Sequence, residues 1–196
     1  MTERLKGKRI GFGLTGSHCS YHLVFPELKR LVALGAEVIP IISFTVKGTD
    51  TKFGEAAAHV AKIEEITGKE VIDSMPKAEP LGPKNPLDLM VVAPLTGNSL
   101  SKLANALTDS PVLMAAKATL RNRRNVVLGI STNDALGLNG VNLMRLLSSK
   151  HMYFIPFGQD NPEKKPTSLV ASMEYLVPTI EAALDDKQLQ PLIICK

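Results

Sequence analysis

Residues 91–109, VVAPLTGNSLSKLANALTD, constrain the fold of this 196-residue chain more than any other stretch. A β-branched run stops at Ala93-Pro94, small and hydroxyl-bearing residues follow, and a helix is expected from about Asn98 to Ala106. Proline ends the strand and removes one backbone donor. A strand that turns straight into a helix is the building unit of an open α/β sheet, whose ligand crevices form outside the carboxyl ends of the strands. Gly97 permits close approach of the backbone to a ligand. Thr96, Asn98 and Ser99 supply donors and acceptors. Asn and Ser also serve as helix N-caps, so residue types alone leave a capped helix without a ligand equally open.

The same alternation repeats along the chain. Strands are expected at Arg9–Leu14, Glu37–Ile42, Asp88–Pro94, Asn125–Ser131 and Tyr153–Phe157. Helices are expected at about Ser20–Leu34, Glu55–Thr67, Val141–Ser149 and Ser168–Leu184. Pro26 should kink the first helix or shift its start, and Gly35 closes it. Pro111–Asn122 reads as part strand and part helix, and Ser43–Gly54 as a polar connection. Asp73–Asp88, with four prolines and one glycine, reads as a long loop. The pattern predicts one α/β domain over residues 1–196. The alternation argues for a parallel sheet covered by helices on both faces.

Bulk properties narrow the function classes. Net charge is +4, but aromatics are only 5% and tryptophan is absent, which argues against base stacking on nucleic acid. The densest basic run, Arg121–Arg124, reads as a solvated loop. Cys19 and Cys195 suit a reducing compartment, and the four histidines lack zinc-ligand spacing, so no metal is expected. No apolar run reaches membrane-spanning length and no leader pattern precedes the first strand, so the expectation is a cytoplasmic protein.

Gly11, Gly13 and Gly16 spell G-x-G-x-x-G at the end of the first strand, the dinucleotide fingerprint. That fingerprint wants an acidic residue at the end of the second strand. Here the strand ends in Ser43, while Glu37 sits at the opposite end. A hydroxyl suits a terminal phosphate better than a ribose diol. Backbone donors around Gly16–His18 and the Ser17 hydroxyl would cradle a monophosphate. The competing reading is a glycine-rich turn serving packing alone. Cys19 reads as a packing residue, and His18 is as well suited to a surface position as to a ligand.

GLTGSHCSY resembles the first phosphate loop of the flavin-mononucleotide proteins that include peptidyl- and phosphopantothenoyl-cysteine decarboxylases. APLTGNSLSKLANALTD resembles their Pro-Ala-Ser-Ala-Asn-type motif. Through PVLMAAKATLRN, ISTNDALGLNGVNL and YFIPFGQDNPEKKPTSLVASM the likeness runs end to end to members that form one half of a two-subunit oxidoreductase. The resemblance implies a three-layer α/β fold, Rossmann-like and flavodoxin-like, and an FMN site. Gly13, Thr15, Gly16, Ser17, His18 and Ser43 would lie toward the phosphate, and Ala93, Pro94, Thr96, Gly97 and Asn98 would border the ribityl chain and flavin ring. It also implies a homo-oligomer and a separate partner protein carrying NADP or NAD. Together the two would oxidise a dihydropyridine dicarboxylate to its aromatic form, in the mother cell during sporulation.

Two departures set the chain apart from the decarboxylases. They carry a histidine shortly before the Ala-Pro motif, where this chain reads AEPLGPKNPLD and has no histidine between His59 and His151. Their Pro-x-Met-Asn-x-x-Met substrate clamp has MAAKATLRN as its counterpart, without the Met-Asn pair. Both count against oxidative decarboxylation of a cysteine. That reading remains an alternative, as does a noncatalytic protein that completes its partner. A dicarboxylate needs cations, for which Lys102, Lys117 and Arg121 are candidates. His18 and Asp134 are the available proton acceptors, and no residue is assigned as catalytic.

Overall fold

The fold is that of a computed structural model, which describes residues 3–84 and 86–195. Strands β1 (Arg9–Leu14), β2 (Glu37–Ile42), β3 (Leu89–Leu95), β4 (Asn125–Thr132) and β5 (Met152–Phe154) pair in parallel in the order β2-β1-β3-β4-β5. This is the doubly wound, flavodoxin-like order, with the chain reversing direction between β1 and β3. β3 is buried along its whole length, which is why its sequence is a continuous apolar run and not an alternating one. Pro94 cannot donate to a ladder, and the β3–β4 register shifts between Val92 and Leu95 to accommodate it. Pro40 is tolerated because β2 lies at the sheet edge.

The helices are α1 (Tyr21–Ala33), α2 (Phe44–Gly48), α3 (Ala56–Thr67), α4 (Met75–Ala78), α5 (Gly97–Ala104), α6 (Pro111–Arg121), α7 (Gly140–Leu147) and α8 (Leu176–Ala183). They cover both faces of the sheet, and Phe12, Phe154, Ile10, Leu28 and Ile41 lie fully buried in the core between the layers. Among the described residues no helix is long and apolar enough to cross a membrane.

Several expectations are corrected. Pro111–Asn122 is helical from its first residue: Ser110 caps α6 by accepting from Leu113 N, and Pro111 occupies the first turn. The polar connection after β2 contains α2, and the proline-rich loop contains α4 and a 3-10 turn over Glu79–Leu81, each of these two with a proline in its first turn. Asn85 of that loop lies outside the described residues. The expected strand Tyr153–Phe157 is two strands, β5 and β6 (Phe157–Gly158), separated by Ile155-Pro156. The expected helix from Ser168 begins instead as strand β7 (Leu169–Ala171), followed by a 3-10 turn at Met173–Tyr175 and then α8. β7 pairs antiparallel with β6 and with Ser131 and Thr132 of β4, so the sheet is mostly parallel and not wholly so. α1 runs through Pro26 and starts at Tyr21, close to its expected position.

Candidate functional site

The reversal of strand order opens a crevice at the carboxyl ends of β1, β2 and β3. A cavity of about 420 Å³ lies there, lined among others by Gly16, Ser43, Thr45, Thr96, Asn98 and Lys102. A neighbouring cavity, also about 420 Å³, shares Gly16 and Thr96 and is bounded by Ser17–Cys19 and by Thr51–Phe53.

The two loops that frame this cleft are joined through Thr15, whose side chain is buried. Its hydroxyl donates to Pro94 O at 2.7 Å and accepts from Thr96 N at 2.9 Å. Its amide also donates to Pro94 O at 3.3 Å, and Tyr21 Oη donates to Thr15 O at 3.1 Å. Thr96 in turn caps α5, accepting from Ser99 N at 3.4 Å. Thr15 therefore holds the walls of the cleft without lining it.

At the foot of the cleft Ser43 follows β2 directly. Its residue surface is buried, and its Oγ has no hydrogen-bond partner among the described residues. A buried hydroxyl left unpaired costs free energy, so such a group commonly marks a ligand position. Across from it, a Cβ on Gly16 would come within 2.7 Å of Thr45 Cγ2, so only glycine lets the first loop close onto α2. The amides of Gly97 and Asn98 open α5 and have no intrahelical acceptor. Lys102 pairs with Asp109 at 2.6 Å, so the cation on this wall is already matched. Orphan hydroxyl, close backbone approach and helix-start amides together fit the phosphate and polyol of a flavin mononucleotide.

Of the expected site residues, Gly16, Ser43, Thr96 and Asn98 line the first cavity, and Ser17 and His18 the second. Ser17 Oγ also contacts Ser131 Oγ at 2.8 Å and Ser20 Oγ at 3.2 Å, a hydroxyl cluster that ties loop one to β4. Gly13 faces the core: a Cβ there would meet Val112 Cγ1 at 2.8 Å and Met90 Cε at 2.9 Å. Gly97 turns its bare face to Thr132 Oγ1, so its close approach is to protein. Ala93 and Pro94 are buried beneath the cleft. Lys117 and Arg121 line a different groove, and of the three candidate cations Lys102 alone reaches the cleft. Asp134 accepts from Asn139 Nδ2 at 3.0 Å in the turn after β4. The segment aligned with the decarboxylase clamp is the covering helix α6, where Leu113, just before it, reaches the cleft. The residues of β4 nearest loop one are instead Ser131 and Thr132.

Sequence reasoning missed Thr45, Ser110 and His59. Thr45 was signalled by its place just beyond the end of β2, where strands feed the crevice. His18 is buried with Nε2 unpartnered among the described residues, its ring 5.1 Å from Tyr21 and 5.5 Å from His59 between centroids. Burial, and next the neighbouring His59, hold the His18 imidazole below its usual range, with a backbone hydrogen bond at Gly16 opposing. A depressed histidine means that the unfolded chain takes up a proton that the folded one refuses. Stability should therefore fall as pH drops below the ordinary value of 6.5 toward the lower folded one. His18→Phe should flatten that acid limb in urea titrations between about pH 5 and 7. An unchanged limb would mean that His18 does not carry it.

The chain matches the model of the family described as "Flavoprotein" over residues 1–182. It is 70% identical over 190 residues to the B subunit of dipicolinate synthase from Bacillus subtilis (strain 168), covering 97% of this chain and 95% of that one. Its fold is similar to the crystal structure of the dipicolinate synthase B subunit from Bacillus halodurans C, with a TM-score of 0.91, 65% identity and 98% of each chain covered. The FMN-dependent cysteine decarboxylase SpaF shares the fold at a TM-score of 0.65 and 16% identity, over 93% of this chain and 98% of that one. By its match over most of its length and its kinship with the B subunits, the chain belongs to the Flavoprotein family.

Proposed function

We propose that this chain is the FMN-binding B subunit of a dipicolinate synthase. It acts with the A subunit of that enzyme, which carries NADP or NAD, to oxidise dihydrodipicolinate to dipicolinate in the mother cell of a sporulating bacterium. The kinship with B subunits supports the reaction. The observation that carries the cofactor is the buried, unpartnered Ser43 hydroxyl at the foot of a cleft bordered by Gly16 and the start of α5.

In this reading Ser43 Oγ and the backbone at Gly16 hold the phosphate, and Thr96 and Asn98 border the polyol. Ala93 and Pro94 shape the floor, and Thr15 keeps the two loops at a fixed separation. When bound, FMN supplies a hydride acceptor for the dihydropyridine ring. No side-chain cation is needed at the phosphate, because hydroxyl and amide donors suffice at a helix start. Self-association has an available surface: Leu136, Leu138, Val141, Met144 and Ile193 are large apolar residues left exposed. A monomer at micromolar concentration in sedimentation equilibrium would remove that part of the proposal.

Titrating the purified protein with FMN is the direct test. Uptake of FMN with a perturbed visible flavin spectrum, together with dipicolinate formation only when both subunits are present, is the expected result. Dipicolinate formation without any FMN uptake would leave this chain as a noncatalytic protein that completes its partner. Decarboxylation of a cysteine-ended peptide would overturn the oxidoreductase reading.

A further inference from the structure

Residues 110–133 contain four cations, Lys117, Arg121, Arg123 and Arg124, and no acidic residue. All four are exposed, and none makes an ion pair among the described residues. Some other helical cations are matched, Arg30 with Glu27, Lys62 with Glu65 and Lys102 with Asp109, and Arg145 of α7 donates to Asn105 Oδ1 at 2.7 Å. Lys117 and Arg121 lie one turn apart on α6, where like charges repel. The helix dipole favours Arg121 in the last turn, but it offers Lys117 little.

These two cations rim a groove of about 400 Å³ between α5 and α6, whose floor is Leu103, Leu107, Leu113 and Leu120. Leu107 is 55% exposed. A solvated basic face accounts for the charges and leaves an open leucine trench unexplained. An apolar floor under a cationic rim is complementary to an amphipathic segment flanked by Asp or Glu. The groove is lined by no aromatic side chain on which a nucleobase would stack. A two-fold contact between copies of this chain through the groove would set Lys117 and Arg121 against their own counterparts.

We propose that the α5–α6 groove docks an acidic amphipathic segment of the nicotinamide-dependent partner, an inference that rests on the two-subunit reading above. Leu113 lines both the groove and the cofactor cleft, so an occupied groove bears directly on the cleft wall. Docking there brings the partner to the outer side of the wall that Lys102 and Asp109 share.

The test is sedimentation velocity and titration calorimetry on the two full-length subunits, at low and at high salt. The variants are K117E/R121E, L107S and a control, K150E/K187E, reversing cations elsewhere on the surface. All substituted cations are exposed, and thermal melts confirm that each variant is folded. Affinity for the partner should weaken at least tenfold for K117E/R121E and severalfold for L107S, and wild-type affinity should fall with salt. The control should stay within twofold of wild type. Unchanged partner affinity in both groove variants would overturn the docking site while leaving the two-subunit reading intact. Loss of self-association at unchanged partner affinity would assign the groove to copies of this chain and overturn the proposal equally. If the wild-type proteins fail to bind at any salt, the two-subunit reading itself falls, and this inference with it.

Discussion

Ser43→Ala is expected to lower FMN affinity roughly 10- to 100-fold while leaving the apo-protein's melting temperature unchanged or slightly higher. The two halves of that expectation have one origin. Ser43 Oγ is buried and makes no hydrogen bond among the described residues, so its removal sacrifices no bond within the fold. It also relieves a buried polar group of its desolvation cost. A hydrogen bond to a charged group is worth about 1.5–3 kcal/mol, which converts to about one to two decades in Kd. Fluorescence titration of FMN with both proteins, beside apo melts, separates the effects. Equal FMN affinity in the variant would move the phosphate elsewhere in the cleft. A marked drop in the apo melting temperature would mean that Ser43 has a structural partner after all.

Gly13→Ala should do the reverse. The added Cβ lies 2.8 Å from Val112 Cγ1 and 2.9 Å from Met90 Cε, so β1 and α6 must separate or those side chains must leave their rotamers. Overpacking of this kind costs about 1–3 kcal/mol. For a chain of this size that lowers Tm by about 2–12 °C. Val112 is fully buried and Met90 equally so, which leaves little room for relief. The folded fraction should bind FMN within twofold of wild type, because this face of Gly13 does not reach the cleft. Gly13→Val, with two more methyl groups, should yield little soluble protein. A selective loss of FMN affinity at unchanged stability would restore Gly13 to the phosphate site.

These two residues also show what could be read in advance. The strands β1 and β2 match their expected limits because short β-branched runs, bounded by glycine, proline or polar residues, have few other ways to bury themselves. That Ser43, Gly16, Thr96 and Asn98 line one cavity was legible because all four sit just past a strand's carboxyl end, where an open sheet forms its crevice. Gly13 and Gly97 carry the same written sign as Gly16. A missing side chain permits close approach without saying whether the approaching group is ligand or protein. Ser110-Pro111 did announce a helix start, and the apolar run behind it obscured that. His18 and His59, far apart in the chain, meet only because α3 folds back against α1. The β6–β7 hairpin was hidden for a different reason: three residues at Leu169–Ala171 have no period long enough to tell strand from helix.

Thr15 has a consequence for how a protein like this can be changed. Its hydroxyl accepts from Thr96 and donates to Pro94, with those partners 81 and 79 positions away in the chain. The first loop and the Ala93–Thr96 bend are therefore one mechanical part written in two places. A graft that imported either segment alone from a distant flavoprotein would inherit half of a matched joint, and the Thr96 amide or the Pro94 carbonyl would lose its mate. Transplanted as a pair, with Thr15 in register, the two segments keep their spacing whatever cargo the cleft is redesigned to carry.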